Sequence, residues 1–330
     1  MDNQAPWDQL ASDLRVRPFR ATDAEEPRDN ATPGGFIRAT SSRSSKKLGD
    51  GSTSKVTIDE TAVKRIAQAL QQLPRKGYQE LDRQSREYEG IRKVLAPHGC
   101  CAAVFGAIAY GLVEYQTGAS GSQWEAFERE YARMRAPSLH EVERAALAVR
   151  YERPHPSKAT RLGYLLPRVR AYLSRQRDCE VHIPSLWLRL ALDDSEAPDR
   201  KTIAFAMKMA RYALDACRAE WPDLREVAVV AVDGRVLQQS LAMGLIVPEG
   251  IAERKLQAGD REVRRTLVKA WDLVVQALGP DGPDAFEIDT LLWEINSIPE
   301  TSRVPWLQEH WGMEEATARS VFASLYPQRA

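Results

Sequence analysis

Residues 199–214 read DRKTIAFAMKMARYAL. Ile203, Ala204, Phe205, Ala206, Met207, Met209, Ala210, Ala213 and Leu214 cover most of the circumference of a helix. A helix that is apolar nearly all round belongs in an interior. Yet this one carries Lys201 in its first turn and Lys208 two turns later. Burial disfavours the ammonium form, and so does the positive end of a helix dipole. Both push an amine at position 201 toward the neutral, nucleophilic state. The stretch just upstream, PSLWLRLALDDSEAPDRKT, runs from a helix ending near Leu192 through a polar turn with Pro198. The pattern is helix, hairpin, helix. Free amides at the start of the second helix suit an anion such as a DNA phosphate.

Working outward, almost everything after residue 55 reads as helix. IDETAVKRIAQALQQL opens on Asp59 as N-cap and repeats Val63, Ile66, Ala67 and Leu70 at helical spacing. YQELDRQSREYEGIRKVL, the apolar run after Gly99, SQWEAFEREYARM, SLHEVERAALAVRYE and SKATRLGYLLPRVRAYLSR continue the pattern. DREVRRTLVKAWDLVVQALG, closed by Gly279, FEIDTLLWEIN and MEEATARSVFASL complete it. No alternating strand stands out; EVAVVAVDG reads as an extended buried connection. The fold class expected is all-α, with two helical lobes around a central cleft. Three segments are expected: a Ser-rich disordered tail over 1–55, a helical domain over 56–300 and a C-terminal helical extension over 301–330.

Charge and cysteine usage narrow the function classes. Lysine and arginine total 46, aspartate and glutamate also 46, so bulk positive charge is excluded as a binding device. Between Phe36 and Lys47 the tail holds Arg38, Arg43, Lys46 and Lys47 and no acid, a local excess suited to weak contact with phosphates. Mean hydropathy is −0.44, and no apolar run approaches the ~20 residues of a membrane span. Cys100, Cys101, Cys179 and Cys217 form no C-x-x-C pair, so neither a structural zinc nor an iron–sulfur ligand set is present. Reduced, structural thiols are expected, with cytoplasm as the default compartment.

Two further elements complement the lysine. VVAVDGRVLQQSLAMG sets Asp233 directly before a helix, 233 − 201 = 32 residues downstream of Lys201. That is room for one helix and a return. FEIDTLLWEIN puts Asp289 and Trp293 four apart, on one helical face. An N-cap aspartate is ordinarily only a cap, worth ~1 kcal/mol, and spacing alone does not distinguish catalysis from capping.

RKTIAFAMKM, VAVDGRV and IDTLLWEIN, in this order, together with AIAYGLVEYQTGASGSQWEAFEREY upstream, resemble the archaeal-type 8-oxoguanine DNA glycosylases. That family is a divergent branch of the helix-hairpin-helix DNA glycosylases, with N-glycosylase and lyase activity. The resemblance covers roughly residues 78–298. It implies Lys201 as nucleophile and Asp233 as the carboxylate assisting it. It implies Phe205, Asp289 and Trp293 as residues that stack on or hydrogen-bond a flipped base. Trp124 matches a tryptophan near the base pocket, and Gln84 a base-reading glutamine. For Lys208 the expectation is a snorkelling or phosphate-contacting side chain. The departures are a missing Leu-Pro-Gly-Val-Gly turn, missing iron–sulfur cysteines and Val232 where proline is expected. The implied function is excision of a modified base, 8-oxoguanine by resemblance, through a lysine Schiff base. The partner would be duplex DNA, with no metal or cofactor, no membrane, and a monomer as the expected state. Two alternatives are a phage-defence glycosylase acting on a hypermodified viral base and a helical DNA-binding protein without catalysis.

Overall fold

The computed structural model describes residues 55–114, 129–131, 133–135, 137–148, 156–176, 180–182, 185–186, 201–218, 221–222, 224–225, 228–250 and 252–327. The tail over 1–54, the hairpin over 187–200 and Trp124 lie outside them. All described residues belong to one unit, Ser54–Ala330. In chain order this unit holds β1 (Lys55–Ile58), α1 (Glu60–Gln71), α2 (Arg75–Arg83), α3 (Arg86–Gly90), α4 (Cys100–Glu114), α5 (Leu139–Ala148) and α6 (Pro156–Leu173). Then come α7 (Lys201–Arg218), α8 (Gly234–Ala242), β2 (Ile246–Glu249), α9 (Arg261–Leu278), α10 (Ala285–Ser297), α11 (Arg303–Trp311) and α12 (Glu315–Leu325).

The mostly helical architecture agrees with the periodicity, and the caps explain the boundaries. Asp59, Asp233, Asp260 and Asp284 each accept backbone N–H bonds at the start of α1, α8, α9 and α10, satisfying amides that have no partner within the helix. Asp284 and Glu287 close a reciprocal capping box. Gly279 ends α9 at φ 74°, a left-handed conformation that L side chains rarely adopt.

Two expectations are corrected. The run YQELDRQSREYEGIRKVL is not one helix. Ser85 accepts from the Tyr88 amide and restarts the chain as α3, which passes into a π turn over Ile91–Leu95. Strands are also present. Residue 55, assigned to the tail, begins β1, and β1 pairs antiparallel with β2 in the register Lys55↔Glu249 to Ile58↔Ile246. EVAVVAVDG is an extended connection where described, and Ala228 to Val232 are all buried.

The centre of the unit is α4 against α7. From Ala102 to Leu112 the described apolar side chains of α4 are buried, and α7 is buried almost throughout. The two helices approach closely at Gly111, where an added Cβ would sit 2.6 Å from the Ala206 Cα. Only a residue without a side chain fits there. Burying α7 on α4 fixes the position of Lys201 at its first turn. At the other end of the chain α12 lies against α1, where Arg65 donates to the carbonyls of Ser324 and Met243.

Candidate active site

Lys201, Phe205, Lys208, Tyr212 and Asp215 follow one another at intervals of four, three, four and three residues. That spacing lays them along one face of α7. Each polar member meets a partner from another element. Lys201 Nζ lies 2.6 Å from Asp233 Oδ2. One turn further, Phe205 is half-buried. Lys208 Nζ lies 2.9 Å from Asp289 Oδ2, with both side chains buried. Tyr212 donates to Asp82, and the Asp215 carboxylate accepts from Arg83 at 2.9 Å and from the Tyr88 hydroxyl at 2.7 Å.

Asp233 is both cap and partner. Its Oδ1 accepts from the amides of Arg235 (2.9 Å) and Val236 (3.0 Å), while Oδ2 faces the lysine. The cap therefore fixes the carboxylate's rotamer, and the fixed rotamer points one oxygen at the amine. The Lys201 and Asp233 side chains are 12% and 15% exposed, so the pair is sheltered from bulk water but open on one side.

α10 supplies the opposite wall. Asp289 is held by Lys208 and, through Oδ1, by the Ala231 amide at 3.2 Å. This ties the 228–233 connection to α10 just ahead of Asp233. Lys208 is thus a buried ion-pair partner of Asp289, not the snorkelling or phosphate-contacting group expected. Trp293, one turn beyond Asp289, is 40% exposed, the largest exposure of any described tryptophan. Lys201 Nζ stands 5.8 Å from the centroid of its ring. The Arg235 guanidinium stands 3.7 Å from it. The structure therefore brings Lys201, Asp233, Asp289 and Trp293 together. Gln84 is exposed at the C-terminal cap of α2, and its side chain bonds none of them among the described residues.

Behind the site a buried polar network locks α7 to α10. Arg211 pairs with Asp284 with both side chains fully buried. Thr290 and Tyr212 both donate to Asp82. Burial pushes the Asp82 carboxyl above its ordinary value, against the pull of Lys208 and Arg211. Burial, reinforced by Asp284, lifts the Glu287 carboxyl to about 7, although Arg211 and Arg75 act the other way. Asp215 moves down, because Arg83 and Tyr88 together outweigh burial. Arg211 and Arg235 were not singled out from sequence. For Arg211 the signal was available, three residues after Lys208 and four before Asp215, at the edge of the same polar stripe; for Arg235 only its place two residues after Asp233 hinted at it. Among the described residues no group of three or more histidine, cysteine, aspartate or glutamate side chains is arranged to hold a metal ion. No helix among them is long and apolar enough to cross a membrane.

Comparison with known proteins adds two findings. Residues 67–320 match the AGOG family, described as N-glycosylase/DNA lyase. The match extends beyond residues 78–298 on both sides and takes in α11 and part of α12. No curated protein matches the chain. Among solved structures, the 8-oxoguanine DNA glycosylase Pa-AGOG of Pyrobaculum aerophilum, crystallised with 8-oxoguanosine, superposes with a TM-score of 0.54 at 19% identity. The superposition covers 80% of this chain and 97% of that one, and at this identity it speaks for a shared fold.

Proposed function

The chain belongs to the AGOG family of N-glycosylase/DNA lyases, and on that premise we propose that it extrudes 8-oxoguanine from duplex DNA and excises it through Lys201. The observation that carries the reading is the 2.6 Å contact between Lys201 Nζ and Asp233 Oδ2 beside the part-exposed ring of Trp293. An amine, a carboxylate within proton-transfer distance and an aromatic platform are what a flipped nucleotide requires.

The target nucleotide leaves the stack because its C1′ is otherwise out of reach. Stacking on Trp293 and Phe205, worth ~1–3 kcal/mol per base, offsets part of the few kcal/mol of unstacking. Asp289 accepts from base N–H groups with lone pairs that Lys208 and Ala231 leave open. As the glycosidic bond breaks, the bonding electrons leave with the base and the Asp233 carboxylate stabilises the positive charge developing on the sugar. The amine bonds to C1′, its proton passes to Asp233, and Asp233 hands that proton to the departing base. Ring opening gives a Schiff base between Nζ and C1′. Loss of a C2′ proton then expels the 3′ phosphate and nicks the strand.

Borohydride reduction of the Schiff base tests this directly. The native chain should form a covalent adduct with 8-oxoguanine duplex, and Lys201→Gln should form none while keeping its helical circular dichroism. Excision retained by Lys201→Gln refutes the assignment. An adduct only on bulky modified bases favours the defence enzyme, and no adduct on any substrate favours a DNA-binding protein without catalysis.

A further inference from the structure

Arg235 lies in the first turn of α8, two residues after Asp233, and its side chain is exposed. Its guanidinium carbon is 3.7 Å from the Trp293 ring centroid, in van der Waals contact over the ring. Among the described residues it has no carboxylate partner; the two carboxylates of the site, Asp233 and Asp289, are engaged by Lys201 and Lys208. Lys201 Nζ is 5.8 Å from the same centroid. A nucleotide whose C1′ bonds to Nζ brings its base to that ring, because C1′ and the base are directly joined. Guanidinium and base are both flat and need the same stacking distance. The guanidinium thus covers a ring that the incoming base has to reach.

We propose that Arg235 fills the stacking slot on Trp293 in the DNA-free enzyme and vacates it for the incoming base, its guanidinium moving to a phosphate that flanks the flipped nucleotide. The inference rests on the glycosylase reading of this site. Three features support the exchange. The side chain is long and exposed, so it moves without disturbing the core. Its cation–π contact at an exposed site is worth only about two- to fivefold in an equilibrium constant, which a stacking base outcompetes. A guanidinium forks onto phosphate oxygens with two parallel N–H bonds. The slot thereby stays covered between encounters, and the cation released from it strengthens the grip on the backbone. Arg235 is a positioning residue in this scheme; it takes no part in the bond changes at C1′.

The exchange predicts opposite effects on two ligands, measured with the full chain and with Arg235→Ala. Guanosine and 8-oxoguanosine stack but carry no phosphate. They should bind Arg235→Ala about two- to fivefold more tightly, because nothing has to be displaced. A duplex with a tetrahydrofuran abasic site has phosphates and no base to release. It should bind Arg235→Ala more weakly, with the slope of log K against log[salt] smaller in magnitude by about 1. Arg235→Lys should restore the native slope, since an ammonium still neutralises the phosphate. Equal or weaker nucleoside binding by Arg235→Ala overturns the inference, as does an unchanged salt slope. Failure of the native chain to bind either nucleoside overturns it too. The glycosylase reading is scored apart, by borohydride adduct formation with the native chain, so an adduct alongside unchanged nucleoside affinity removes only the role given to Arg235.

Discussion

Lys208→Met is the sharpest test of how the site is held. Lys208 and Asp289 are 7% and 4% exposed and 2.9 Å apart. Methionine keeps the length and apolar stem of lysine and removes the charge. Asp289 would then be a buried carboxylate with one remaining partner, the Ala231 amide at 3.2 Å. Breaking a buried pair from one side costs about 3–5 kcal/mol, because the surviving charge is neither solvated nor paired. Asp289→Asn alone strands the ammonium at a similar cost. In the double variant no charge is left. The carboxamide oxygen introduced by Asp289→Asn still accepts from Ala231, and only its NH2 lacks a partner, at about 1–3 kcal/mol. The singles thus sum to roughly 6–10 kcal/mol while the double loses far less, a coupling of at least about 3 kcal/mol. Urea unfolding followed by circular dichroism at pH 7 measures all four corners of this cycle. For a domain of this size each kcal/mol moves Tm by roughly 2–4 °C, so Lys208→Met should melt about 6–20 °C below the parent. A single-variant cost under about 1 kcal/mol, or additive singles, would show that the pair is neither buried nor coupled as described.

Asp233→Asn keeps an N-cap oxygen for the Arg235 and Val236 amides, so stability should change by less than about 1 kcal/mol while kcat for excision falls by about a hundredfold or more; single-turnover kinetics with parallel DNA-binding titrations check this, and equal losses in rate and affinity would reduce Asp233 to a cap. Glu287 has an ordinary value of 4.5 and a folded value of about 7, so the folded chain holds a proton that the unfolded chain releases between those limits. Its contribution to stability is therefore full below pH 4.5 and is lost as pH rises through 7, by something of the order of 3 kcal/mol. Glu287→Gln removes that dependence, and its unfolding free energy relative to the parent should rise from pH 5 to pH 8; a difference that does not vary with pH contradicts the assignment. Gly111→Val places branched carbons against the Ala206 backbone, should force α4 from α7 at a cost of at least about 1–3 kcal/mol, and should lower excision as Lys201 shifts, both read by denaturation and a nicking assay.

Local chemistry sufficed for most helix ends among the described residues, though not for the break at Ser85. Capping aspartates, the 3.6-residue recurrence of apolar side chains and Gly279 are properties of a few consecutive residues, and they set where α1, α9 and α10 begin or end. Lys201, Asp233, Asp289 and Trp293 stood out from their placement on helix starts and faces, the resemblance of four short blocks implied their roles, and the four meet at one site. What sequence left open lies in pairings between distant segments. β1 and β2 are four residues each and join across some 190 positions, too short and too far apart for a periodic signal. Lys208 and Asp289 are 81 residues apart, and Arg211 and Asp284 are 73 apart. The polar stripe on α7 was present in the spacing, but its apolar majority masked it, and no spacing says which carboxylate each cation meets. Only when α7 is buried on α4 and capped by α10 does solvent leave that stripe. Charges without water must then find each other, and the tertiary structure decides that Lys208 is spent on Asp289 while Lys201 remains at the open edge beside Asp233 and Trp293.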